Sequence, residues 1–107
     1  MDEPTKARSA ALFAALGHPT RISMVELLIK EELSVGEVGA ALDIAQSSAS
    51  QHLAALLRSG VLDVTPRGTS RLYKVRGPRI AKILELIRDF CEVQGLKGEP
   101  VDEHQGI

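Results

Sequence analysis

The sequence predicts a mainly α-helical domain with one small β-hairpin. Apolar residues recur at helical spacing in five segments, and proline, serine and glycine mark where several of these segments start and stop. One pair of short β-rich runs, 61–65 and 71–75, flanks the turn-forming stretch Pro66-Arg67-Gly68-Thr69-Ser70. The length of 107 residues suits one domain with one modest core. An apolar share of 44% beside 25% charged residues is globular rather than disordered.

Residues 5–16 read as the first helix, with Leu12, Phe13 and Leu16 on one side and Gly17 as its stop. Pro19 opens the second, where Ile22, Val25, Leu28 and Ile29 keep the period. Ser34-Val35-Gly36-Glu37 is a capping box: the hydroxyl takes one free backbone N–H and the glutamate reaches back to another. A short third helix then runs to about Leu42. Asp43-Ile44-Ala45 is a tight connection, and two helices joined so closely form a helix-turn-helix unit.

The fourth helix runs from about Gln46 to Ser59, with Gly60 as its stop. Ala49, Leu53, Leu56 and Leu57 fall on one face; Ser47, Ser48, Gln51 and Arg58 fall on the opposite one, with Ser50 and His52 on the flanks. Serine is a mediocre helix former, so its density here asks for a reason. One answer is a solvent-exposed capping cluster; the other is a surface that binds.

The hairpin is marginal alone and must pack on the helices. Pro78 starts a fifth helix with Ile80, Ile83, Leu84, Ile87, Phe90 and Cys91 on one stripe and Ala81, Leu86 and Val93 beyond it, a wide apolar face for a terminal helix. Residues 1–94 form the expected domain, and 95–107 read as a C-terminal tail.

The net charge of −1 hides an uneven distribution. Between 46 and 76, Arg58, Arg67, Arg71, Lys74 and Arg76 face Asp63 alone, so 5 − 1 leaves +4 in the segment that holds the serine-rich helix. Such clustering is the electrostatic footprint of nucleic-acid binding. Other classes recede. No apolar run approaches the roughly 18 residues of a membrane span, so no membrane partner is expected. The N-terminus lacks a secretory pattern and a single cysteine makes no internal disulfide, which points to a reducing cytoplasm. There is no glycine-rich phosphate loop, no metal-ligand spacing and no Cys–His or Ser–His pairing, so no enzyme is expected.

The order of helices, helix-turn-helix, hairpin and helix is that of a winged helix-turn-helix. From position 12 to about 93 the chain resembles the ArsR/SmtB family of small bacterial repressors. The resemblance is carried by Ala15-Leu16-Gly17-His18-Pro19-Thr20-Arg21, by Gln46-Ser47-Ser48-Ala49-Ser50-Gln51-His52-Leu53, by Leu57-Arg58-Ser59-Gly60-Val61-Leu62 and by the closing Arg71-Leu72-Tyr73. It implies that Gln46, Ser47, Ser48, Ser50 and Gln51 face DNA, and that Arg67 and Arg71 of the wing meet phosphate or the adjacent minor groove. It also implies a homodimer on a pseudo-palindromic operator, paired through the first and last helices. That points to Leu12, Phe13, Ile80, Ile83, Leu84, Ile87 and Phe90, some of which must pack within the subunit. The physics agrees: a major groove admits a helix, and short side chains that both donate and accept can read base edges at close approach.

The signal that releases such a repressor is less legible. Relatives hold soft metals with thiolates at the start of the third helix, where this chain has Leu33-Ser34-Val35-Gly36-Glu37-Val38-Gly39. Others build paired zinc sites on the last helix, where the matching residues are Gly77, Arg79, Phe90 and Val93. Redox sensors join a cysteine of the second helix to one of the last, and residues 19–31 contain none. Two candidates are left. Cys91 is a small apolar filler or a reactive thiol at the dimer seam, with Arg88 as its nearest cation. His104, with Glu99, Asp102 and Glu103, offers an atypical nickel, cobalt or zinc site. His18 is expected to cap or pack the second helix, and His52 to pack or meet a phosphate. Two alternatives stay open: a winged-helix protein-interaction module, and a constitutive DNA-binding repressor with no ligand of its own.

Overall fold

The computed structural model describes residues 1–93. The elements are α1 (Glu3–Leu16), α2 (Pro19–Lys30), α3 (Val35–Leu42), α4 (Gln46–Arg58), β1 (Leu62–Arg67), β2 (Ser70–Val75) and α5 (Pro78–Val93). Helix α1 starts two residues earlier than its apolar pattern suggests. Asp2 explains the extension: its carboxylate accepts the Thr5 backbone N–H at 2.8 Å, and Pro4 sits in the first turn, where no N–H is needed. Gly17 ends α1, and α2 leaves at 96° to it.

Helix α2 runs through the middle of the core. Its Met24, Val25 and Leu28 are buried with Val38 of α3, Ala49, Leu53 and Leu56 of α4, and Val61, Leu62 and Tyr73 of the hairpin region. The capping box forms as expected: Glu37 N–H donates to the Ser34 hydroxyl at 3.2 Å, and Ser34 N–H to Glu37 Oε1 at 2.9 Å. At the turn, Asp43 adopts the left-handed conformation at φ 54°, which aspartate tolerates better than most residues. The Ile44 N–H closes back onto the Gly39 carbonyl at 3.0 Å. Gly39 is buried where α3 meets the start of α4; a Cβ there would lie 3.1 Å from the Ile44 carbonyl oxygen. The close crossing therefore favours a glycine, since any Cβ would require the Ile44 carbonyl to give by a few tenths of an ångström.

The hairpin differs from the sequence expectation. The strands run to Arg67 and resume at Ser70, with Pro66 opposite Arg71 and Arg67 opposite Ser70. Only Gly68 and Thr69 remain as the turn, and Gly68 takes φ 62° at its first position, as a type II′ turn requires. Pro66 suggested a turn, but a two-stranded sheet has only edge strands, where proline is tolerated. The hairpin is tied to the helix-turn-helix by a bridge between Leu33 and Tyr73, whose N–H groups donate to each other's carbonyls at 3.2 and 2.8 Å.

Helix α5 buries no residue completely. Ile80 and Leu84 pack against the core, while Phe90 and Ile87 are 59% and 40% exposed. Residues 94–107, which hold the expected tail and His104, lie outside the described residues.

Candidate nucleic-acid interface

Ala49, Leu53 and Leu56 fasten one side of α4 to the core, which fixes what the other side presents. Gln46, Ser47, Ser48, Ser50 and Gln51 are all exposed, and none makes a side-chain hydrogen bond among the described residues. This speaks against the capping reading of the serines. The residue preceding the helix is Ala45, which has no capping side chain, and no serine hydroxyl turns back to cap it. Helix α3, by contrast, carries a complete capping box, and α1 an aspartate cap. The first turn of α4 thus keeps its free N–H groups and its partial positive charge available for an incoming anion.

The wing carries cations that its own fold does not neutralise. Arg76 is engaged: Nε and Nη2 both donate to Asp63 Oδ1, at 3.0 and 2.9 Å. Arg58, Arg67, Arg71 and Lys74 form no ion pair within 4 Å among the described residues. Arg67 lies beside the tight turn of the hairpin and acts electrostatically on Glu37. Arg71 lies with its guanidinium 5.8 Å from the Tyr73 ring centroid, a cation–π contact on a ring that the core holds. The two wing arginines therefore differ, one at the tip and one braced on an aromatic face.

A polar node missed as a unit at the sequence level joins three helices. Arg21 Nε donates to His52 Nδ1 at 3.1 Å, and its Nη1 reaches the Ala15 carbonyl of α1 at 3.4 Å. The His18 and His52 rings lie 4.6 Å apart, tilted by 58°. His18 precedes α2 without a side-chain cap bond, so it packs rather than caps. Burial pushes the His52 imidazole below its ordinary value of 6.5, and His18 and Arg21 push it the same way. The sequence held a signal for this node: His18, Arg21 and His52 all fall in the motifs that carried the family resemblance.

The seven expected dimer residues divide into two sets. Leu12, Ile80 and Leu84 pack on the subunit's own core, and Ile83 is half-buried. Phe13, at 62% exposure, Ile87 and Phe90 face outward. Phe13 and Ile87 flank an apolar groove of about 670 Å³ between α1, α2 and α5, with Leu16, Ile22 and Ile29 in its lining.

Cys91 is half-buried rather than enclosed, and Arg88, its nearest cation in sequence, lies 3.9 Å from the Glu92 carboxylate. Among the described residues no group of three or more His, Cys, Asp or Glu side chains is gathered to hold a metal ion. The stretch from Leu33 to Gly39 at the α3 start carries no thiol, and Gly77, Arg79, Phe90 and Val93 stand at the other positions that the resemblance marks. No single helix among the described residues is long and apolar enough to cross a membrane.

Comparison with known proteins agrees with this geometry. Residues 16–65 match a family model described as a helix-turn-helix domain. An uncharacterised HTH-type transcriptional regulator of Mycobacterium tuberculosis, Rv0081, is 36% identical over 87 residues, 80% of this chain and 76% of that protein. Its crystal structure superposes with a TM-score of 0.76 over 88% of this chain and 96% of that one, at 33% identity. The transcriptional activator HlyU of Vibrio cholerae is 31% identical over 91 residues, 84% of each protein, and its structure gives a TM-score of 0.73 over 84% of this chain and 99% of that one. A biofilm growth-associated repressor of Agrobacterium fabrum is 35% identical over 83 residues, 77% of this chain and 71% of that protein. Alike in sequence and in fold, the chain belongs to the ArsR family of winged helix-turn-helix transcriptional regulators.

Proposed function

We propose that the protein is a homodimeric repressor that occupies a pseudo-palindromic operator and leaves it on a signal. The observation that carries this reading is the exposed, internally unbonded row Gln46, Ser47, Ser48, Ser50 and Gln51, placed at an uncapped helix start beside an unneutralised basic wing. Those side chains read base edges in the major groove, the free N–H groups of the first turn take a phosphate, and Arg67 and Arg71 grip the flanking backbone. One such helix reads only a few base pairs, so a two-fold dimer doubles the site. The outward Phe13, Ile87 and Phe90 supply the apolar surface for the second copy. Relatives include both an activator and a repressor by name. Occupancy of an operator suffices for repression, and we assign the chain no catalytic step. The cytoplasm is where such a regulator meets its DNA.

The releasing signal acts by preferring the DNA-free dimer, which weakens DNA binding by the coupling free energy. The residues at the family's metal positions do not fit such a metal here. Calorimetric titration with nickel, cobalt and zinc tests the His104 tail; absence of heat at micromolar metal removes it. Full response to the inducing signal in a Cys91→Ser protein removes the thiol.

Selection of duplexes from a random pool by the purified dimer, followed by affinity measurements across a salt series, tests the central reading. A defined pseudo-palindrome whose affinity falls steeply with salt is the expected result. A monomer with no preference for any duplex at low ionic strength overturns it, and salt-independent capture of a protein partner favours an interaction module.

A further inference from the structure

The node at Arg21 lies behind the reading surface. Helix α1 meets α4 through small residues: Ala11, Ala14 and Ala15 line one wall of a shallow groove and Ala55 another, with Arg21 and Arg58 at its edges. Apolar contacts between alanines are non-directional and resist sliding poorly. The Arg21 guanidinium is directional. It holds the last turn of α1 through the Ala15 carbonyl and the flank of α4 through His52 Nδ1, which follows Gln51 in the chain and lies one helical turn beyond Ser48.

We propose that Arg21 and His52 are positioning residues for the DNA-reading helix, and that they hold α4 in register only while the His52 ring is neutral, so that discrimination between DNA sequences weakens in acid. The proposal rests on the reading of α4 as the DNA-contacting helix. Nδ1 accepts the Arg21 proton only when that nitrogen carries none of its own. A protonated His52 loses the bond and becomes a cation against Arg21 and next to His18. Those two groups, both from the start of α2, are the titratable and charged neighbours that act on it; α1 contributes only a carbonyl, and no carboxylate from α3 or β1 offsets the added charge among the described residues. The sign follows. A histidine held below its ordinary value contributes stability that is present above about pH 6.5 and lost as pH falls through and below that point. A uniform gain in cationic charge raises affinity for every duplex, so the affinity ratio, and not affinity itself, reports the helix position.

The test uses the full chain, with the selected duplex and a scrambled one, at constant ionic strength from about pH 8 to about pH 5.5. The expected result is a fall of about tenfold in the affinity ratio, equivalent to one hydrogen bond to a charged group. His52→Asn, which keeps an acceptor in place of Nδ1 but does not titrate there, is expected to keep the ratio flat. A constant ratio in the wild type, or an equal fall in His52→Asn, overturns the proposal. Should that variant not fold, NMR of the DNA-free wild type decides: the amides of Ser47, Ser48 and Gln51 are expected to shift with the midpoint of the His52 ring, and stationary amides overturn it. Failure of the wild type to bind any duplex at pH 8 is a different result, since it removes the DNA reading and this proposal with it.

Discussion

At the scale of single residues, the reading surface separates cleanly from the fold. Ser48 and Gln51 are exposed and unbonded, so replacing either with alanine should leave the melting temperature nearly unchanged. Gln51→Ala should cost about 1–3 kcal/mol of specific DNA affinity while sparing non-specific binding, as read by anisotropy on selected and scrambled duplexes. Arg67→Ala should act the other way, weakening all duplexes alike and lowering the salt slope by about one. A structural residue behaves differently again. Ser34→Ala removes the hydroxyl that accepts the Glu37 N–H, and should destabilise the chain by about 0.5–2 kcal/mol in urea unfolding. The Ser34 backbone N–H holds the Glu37 carboxyl below its ordinary 4.5, with the Ser34 hydroxyl and Arg67 acting the same way. That stabilisation is full above pH 4.5 and is lost as pH falls below it; a Glu37→Gln protein should show a flatter acid limb.

Among elements, the decisive contact is the crossing of α3 and α4. Gly39 lets the Ile44 carbonyl approach to a distance at which a methyl group already crowds it. Gly39→Val should therefore shift the start of α4, lowering operator affinity more than a surface change does and lowering the melting temperature as well. The packing face of α4 makes the complementary case. Leu53 is fully buried, so Leu53→Ala should cost about 2–5 kcal/mol of stability, with DNA affinity retained below the new melting point. Much of this level was legible in the sequence. The capping box, the prolines that open α2 and α5, and the periodicity of α4 are signals between residues three or four apart. The extent of the hairpin was not, because Pro66 carries the same local signal in an edge strand as in a turn.

For the whole molecule, the question is what covers α5. Its outward Phe90 and Ile87, with Phe13 across the groove, predict a concentration-dependent association. Phe90→Glu should shift sedimentation towards monomer. It should also reduce operator affinity by about a hundredfold or more, because the second half-site is then no longer tethered to the first. A fully dimeric Phe90→Glu protein with unchanged affinity would place the dimer seam elsewhere.

Determined by the sequence alone were the helix starts after the first, the helix-turn-helix, the polar row on α4 and the surplus of positive charge after it. Each is written in neighbouring residues, in caps and periods that act over one helical turn. The tertiary structure alone decided three things: that Leu33 bridges Tyr73, that Arg21 reaches across 31 positions to His52, and which half of the α5 stripe its own core covers. These depend on which distant segments the burial of Met24, Leu53 and Leu62 draws together, and the hydrophobic effect that buries them is blind to direction and to order along the chain.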